Sequence, residues 1–276
     1  MDATTKRICA MLKTEDPELR AAAARVLGEL GAKEPAALAA LSDVLTQDAG
    51  PPRLYALAAL AGSPTAEAVR YVLPAFAGHE DLRQAAVDAI AGFGHKAVAH
   101  LKEAVLKAPL PQRKGAASAL ARIGGRTAHE LLLRALANGE LEVSKHICFV
   151  LDHAIAAMTD RAKGVLLAQV EKYLAHKRVQ KKETAACSGI LLLGMLASPK
   201  AKKTLLRFAS PGHTGEVRRR ALLALRGIAE ALAAAEIATL ATTESFLGWL
   251  TDDVLRRGAG RAAGWLDSAI RPFARS

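Results

Sequence analysis

A few groupings of residues have the types and spacing to do chemistry. Two dipeptides, His79-Glu80 and His129-Glu130, set metal-ligand types side by side. Glu142, His146 and His153 stand at i, i+4 and i+11, which is one face of a helix. A carboxylate with two imidazoles is a donor set for a transition metal. Cys9, Cys148 and Cys187 are odd in number and lack CxxC spacing. That argues against a disulfide framework or a structural zinc site, and fits a reducing cytoplasm. Trp249 and Trp265, with Asp252 and Asp253 beside the first, make the one grouping of aromatic and acidic residues. Gly-rich phosphate loops, GxSxG and HExxH are all missing from the sequence. No catalytic constellation is assembled, and neither a cofactor nor a metal is expected.

The elements that position these residues are helices. Of 276 residues, 60 are Ala and 40 are Leu, while Phe, Tyr and Trp together number 11. Ala and Leu are strong helix formers, and the residues that favour strands are scarce. The 51% hydrophobic content beside 24% charge is too apolar for disorder. The first 13 residues carry charge and lack an apolar core, so no secretory signal is expected. The most apolar stretch, 189–197, is about half of what a membrane span needs. The net charge of +11 is lopsided: residues 1–138 hold 17 Lys/Arg against 14 Asp/Glu, and residues 139–276 hold 21 against 13. Such a field attracts acidic protein, nucleic acid or an anionic surface.

One phrase recurs along the chain. A leading residue, usually Arg, is followed by small residues, an aliphatic residue seven on, and often Gly eleven on. It reads Arg20…Leu27…Gly31, Arg53…Leu60…Pro64, Arg83…Ile90…Gly94 and Arg113…Leu120…Gly124. Degenerate copies follow: Ser144…Leu151…Ile155, Glu183…Ile190…Gly194 and Arg218…Leu225…Ala229. The mean period is 33 residues. Positions +3, +4, +7 and +10 form one apolar stripe, for example Ala86, Val87, Ile90, Phe93 and Ala221, Leu222, Leu225, Ile228. That is helical spacing. Acidic residues and Pro before each phrase fit a helix start, and Gly at +11 fits a C-terminal cap. A second amphipathic helix lies between phrases, at 35–47, 65–77, 96–107, 127–137, 161–175 and 200–209. No single pair can bury its stripe alone, so stacked pairs must share a core.

The stretches EDPELRAAAARVLGELG (15–31) and EDLRQAAVDAIAGFG (80–94) resemble HEAT repeats, above all the short phycobilisome-lyase-like type. The resemblance implies an all-α, right-handed α-α superhelix, an armadillo-like α-solenoid of about seven to eight helix pairs. It spans 1–276 as a single solenoid, with repeats near 2–31, 35–63, 65–94, 96–124, 127–158, 160–196 and 199–234 and a C-terminal cap at 235–276. The segment 160–182 breaks the pattern and is expected to carry a bend or an extra contact. Trp265 is expected to plug the open end.

The resemblance also places the second helix of each pair on the concave face. Positions +1, +5 and +8 are then the presented surface. From the fourth repeat this surface gains Lys114, Lys145, Arg219 and Arg226 on the row and Arg122 beside it at +9. Phe149 also falls on it, as a partner anchor unless the longer fifth repeat buries it. Cys148 and Cys187 fall at the core position +4 and read as buried small hydrophobes. The leading Arg residues read as structural, bonding loop carbonyls and acidic caps.

Deoxyhypusine hydroxylase is a HEAT-type enzyme that binds iron through His-Glu pairs on its second helices. Here His79 falls in a turn, His129 in a first helix, and Ile147 follows His146 where Glu would be needed. The function expected is therefore a non-catalytic protein–protein interaction scaffold or adaptor in the cytoplasm. It would bind a partner, an acidic protein, on the concave surface, without a membrane span. The alternatives are a nucleic-acid-binding solenoid, including a HEAT-like DNA glycosylase, and a HEAT-type chromophore lyase. The shortage of aromatics argues against a base-stacking pocket.

Overall fold

Every described segment of regular structure is helical. The computed structural model describes residues 2–233, 235 and 236. The terminal calls at Trp249, Asp252, Asp253, Arg256, Arg257 and Trp265 lie outside the described residues, as does most of the 235–276 cap. Two compact units divide the chain, the first ending at Ala135 and the second beginning at Leu136.

The first unit contains α1 (Ala3–Met11), α2 (Pro17–Glu29), α3 (Pro35–Gln47), α4 (Gly50–Ala61), α5 (Ala66–Val72), α6 (Glu80–Gly92), α7 (His95–Lys107), α8 (Leu110–Ile123) and nearly all of α9 (Gly125–Leu136). Its second helices pack in series, α2 on α4, α4 on α6 and α6 on α8. The first helices form a parallel row, α1 on α3, α3 on α5 and α5 on α7. The second unit holds α10 (Leu141–Ala156), α11 (Asp160–Ala175), α12 (Lys177–Gln180), α13 (Glu183–Leu196), α14 (Lys202–Ala209) and α15 (Gly215–Arg226). Here α10, α13 and α15 stack as second helices, while α11 and α14 are first helices. Each unit is thus a double layer of helix pairs, the α-solenoid architecture.

The stripe that defines the repeat is the core. Ala86, Val87, Ile90 and Phe93 are all buried, and so are Ala221, Leu222, Leu225 and Ile228. Helix starts follow local chemistry. Asp16 Oδ1 accepts from the backbone N–H of Glu18 at 2.9 Å, and Pro17 sits at the first position of α2. Thr65 and Thr159 cap α5 and α11 in the same way. Gly31, Gly94 and Gly124 take positive φ of 60°, 59° and 65° just past their helices, a conformation glycine adopts readily.

The leading Arg is structural in the first repeat. Arg20 Nε donates to Asp48 at 2.8 Å, and its Nη1 donates to the carbonyls of Thr14 and Glu15 at 2.7 and 2.8 Å. One side chain thus ties the loop before α2 to the loop after α3. In later repeats the role varies: Arg83 bonds Glu80 within its own helix, and Arg53 Nε is buried with no hydrogen bond.

Three departures have local causes. The helix expected over 65–77 is α only to Val72, then 3-10 over Leu73–Ala77, because Pro74 cannot donate the next helical bond. The irregular 160–182 segment is a long α11 followed by the one-turn α12. This turn buries Val179, and Gln180 Nε2 donates to the Leu174 carbonyl at 2.9 Å. Lys182 Nζ donates to the Asn138 carbonyl at 2.8 Å, which supplies the extra contact. Gly194 does not cap its helix. A Cβ there would lie 3.1 Å from Ala224 Cβ, so it serves close approach of α13 to α15, and Ala197 makes the left-handed turn at φ 44°.

Candidate partner-binding face

The exposed stripe of α10 follows helical spacing. Leu141, Lys145, Phe149 and His153 succeed one another at intervals of four, and all are exposed. Phe149 is 60% exposed and Leu141 56%, the two most open large apolar side chains among the described residues of the second unit. The anchor reading of Phe149 therefore has the exposure it needs. Its ring centroid stands 4.6 Å from that of His153, whose Nδ1 lies 3.0 Å from the Phe149 carbonyl. His153 thus props the ring from one turn below. Lys145 Nζ donates to Glu142 at 3.0 Å.

On α15, one carboxylate holds two guanidinium groups. Glu216 Oε1 accepts from Arg219 Nη2 and from Arg220 Nε, both at 2.8 Å, while Oε2 accepts from Arg219 Nε at 2.9 Å. The two arginines beside it hold the Glu216 carboxyl below the usual carboxylate range, Arg220 contributing most. Arg218 is buried, with Nε 3.4 Å from the Ala209 carbonyl. The run Arg218–Arg219–Arg220 is thus fully engaged, and the triad with Glu216 keeps less outward charge than its three cations suggest.

The other presented candidates lie as follows. Lys114 and Arg122 are on α8 in the first unit, so they are described apart from Lys145, Phe149, Arg219 and Arg226 of the second. Lys114 is half-buried. Arg122 is exposed and forms an ion pair with Asp88 of α6, linking successive second helices. Arg226 is half-buried at the end of α15. Ala21, Ala121 and Ser188, also expected in the presented row, are buried. Neighbouring helices come too close there for small side chains to stay open.

The thiols behave as core. Burial pushes Cys148 and Cys187 up to about 11, so neither is a thiolate at neutral pH. Cys9 is buried as well. Of the His-Glu dipeptides, His79 precedes α6 in a turn and is exposed, and Glu130 accepts from Arg126.

His129 carries a signal that spacing could not give. It is only 4% exposed, and neither ring nitrogen has a hydrogen bond. Burial therefore depresses its pKa. The unfolded chain takes up a proton near pH 6.5 while the folded His129 stays neutral, so the unfolded state binds more protons below that pH. Stability is expected to fall as pH drops from about 6.5 toward the depressed folded value. The half-buried His213 is depressed by burial and by Arg207, and adds the same sign. Urea midpoints between pH 7.5 and 5.5 check this: His129→Leu should flatten the decline. An equally steep decline in that variant would remove His129 from the account.

Stacked helix pairs in two layers define an α-solenoid. Within that class the chain carries HEAT repeats. Residues 1–61 match the family described as HEAT repeats, and residues 112–138 match the PBS lyase HEAT-like repeat. Among curated proteins, none matches in sequence. Solved structures do. Kap121p bound to Pho4p aligns over 98% of this chain and 39% of its own, at 12% identity and a TM-score of 0.51. The chain thus spans well under half of Kap121p. The CpcE–CpcF complex of phycocyanin lyase from Nostoc sp. PCC7120 is similar over 92% of this chain and 96% of that one, at 19% identity and a TM-score of 0.36. Human deoxyhypusine hydroxylase is similar over 83% and 85%, at 18% identity and a TM-score of 0.37. The alignment with Kap121p shows the fold. No helix among the described residues is long and apolar enough to cross a membrane.

Proposed function

We propose that this protein is a non-catalytic scaffold that docks a protein partner on the second-helix layer of its second unit, with Phe149 as the anchor. The observation that carries this reading is the 60% exposure of Phe149 at the centre of the outward stripe of α10. A large aromatic held open by its own helix, with an apolar Leu141 two turns before it, is the kind of residue that dominates a protein interface once desolvated. Lys145 on the same stripe, and Arg219 and Arg226 on α15, favour an acidic rim on the partner. Because Glu142 and Glu216 already hold Lys145 and Arg219, charge here steers and orients, and the apolar anchor carries the affinity. Kap121p, a protein of the same fold, is seen bound to other proteins, which agrees with this use of the architecture.

The test is affinity capture from the source cell with nuclease-treated samples, comparing the wild type with Phe149→Ser. Truncating a central aromatic anchor typically costs at least ~2 kcal/mol, so a partner should weaken by ~30-fold or more. The melting temperature should not move, because the side chain is exposed. An unchanged partner spectrum with Phe149→Ser would sink the proposed face. Arg219→Glu with Arg226→Glu should weaken capture less than Phe149→Ser does.

A further inference from the structure

Among the described residues of the second unit, the cations of the two helix layers differ in their partners. On the second-helix layer Lys145 is ion-paired with Glu142, and Arg219 and Arg220 share the single carboxylate of Glu216. On the first-helix layer most are not paired, Lys202 with Glu236 being the exception. Arg161 and Lys172 stand on the outward stripe of α11, with Val165 and Ala168 between them, all exposed. Lys200, Lys203 and Arg207 stand at i, i+3 and i+7 on the 3-10 turn Pro199–Ala201 and α14, and are exposed as well. Lys177 extends the row past the end of α11. None of these six makes an ion pair among the described residues. The one half-buried carboxylate of α11, Glu171, accepts from Thr204 Oγ1 of α14 at 3.0 Å. That bond ties α14 to α11, and the residues next in chain to its ends include Lys172 and Lys203. Lys202, the neighbour that turns inward, bonds Glu236 at 3.1 Å.

We propose that this first-helix layer binds the phosphate backbone of duplex nucleic acid. Arg161 to Lys172 covers about 16 Å and Lys200 to Arg207 about 10 Å at a rise of 1.5 Å per residue. Two adjacent rows of that length face several phosphates, since a duplex carries one charge per about 1.7 Å of axis. The rest of the layer selects against other anionic partners. Tyr173 and Phe208 are buried, so neither ring is available to stack on unpaired bases. Between the cations stand Gly164, Val165 and Ala168, which offer neither a hot-spot anchor for a protein nor an apolar wedge for a membrane. The contact is electrostatic and indifferent to sequence. It is distinct from the Phe149 face, on the other layer of the same unit.

The test is fluorescence anisotropy of the full chain with a labelled duplex of about 30 base pairs, DNA in one arm and RNA in the other. Neutralising about six phosphates predicts a slope of log affinity against log salt near −5, or roughly a thousandfold loss between ~50 and ~200 mM salt. Lys172→Gln, Lys203→Gln and Arg207→Gln together should lower affinity by more than tenfold and flatten the slope by about 3. The circular dichroism and melting of that variant should match the wild type, since all three side chains are exposed. Phe149→Ser should bind duplex as the wild type does. Binding absent at ~50 mM salt overturns the proposal, as does a triple variant that binds like the wild type. Tighter capture of polyglutamate than of duplex at equal charge also overturns it, by assigning the layer to acidic protein.

Discussion

Gly115→Val is expected to destabilise the first unit by about 3 kcal/mol, the upper end of the range for overpacking a core. Gly115 is buried on α8 against Phe76, which lies on the 3-10 segment after α5 and is 0% exposed. A Cβ at position 115 would stand 2.6 Å from Phe76 Cβ and 2.8 Å from its Cδ1, and closer still to Cγ. A rotamer change could move Cγ and the ring, but Phe76 Cβ is fixed by its backbone and its contact would remain. The 3-10 backbone itself would have to shift. Phe76→Ala alone should cost ~3–5 kcal/mol by leaving a cavity. Combining the two removes the clashes with Cγ and Cδ1, leaves only the one with Cβ, and puts new methyl groups in the space the ring held. The double variant should therefore be more stable than the sum of the single losses by over ~1 kcal/mol, measured from urea midpoints. Strict additivity would mean that the two residues do not share that space.

The second large effect comes from the aliphatic residue at +7. Leu120→Ala and Leu225→Ala should each cost ~2–5 kcal/mol, since Leu120 is 0% and Leu225 1% exposed. The distribution of the loss matters as much as its size. In a stack held by nearest-neighbour contacts, opening spreads from the damaged repeat. Amide exchange in Leu120→Ala should accelerate first in α6 and α8 and last in α2. A cost under ~0.5 kcal/mol for both substitutions would mean the assigned register is wrong.

The repeat was readable because one apolar stripe at +3, +4, +7 and +10 recurs with a period near 33, and only stacked helices use that spacing. Pro74 was visible too, and its effect on 65–77 follows from its missing N–H. The close approach at Gly194 was not readable, because a Gly at +11 looks like a cap until α15 is set against it. Charge shows a similar limit. The excess in residues 139–276 is plain from counting, but which cations are spent depends on their neighbours. The Glu216 clamp lies at i+3 and i+4 and was open to sequence reasoning. The separation of paired cations on one layer from unpaired ones on the other was not, since it needs α11 and α14 side by side. Phe149 was placed on the presented row by register alone, whereas its exposure rests on the packing of α10.

The three buried thiols turn the protein into its own clock. Cys9 lies in the first unit, and Cys148 and Cys187 lie in neighbouring helices of the second. Shielded, and in the second unit held near pKa 11, they cannot be alkylated while their repeats stay closed. Each becomes reactive only when its surroundings open. The rate at which iodoacetamide reaches Cys9 against Cys148 therefore times the breathing of one unit against the other, with no label added and no residue changed.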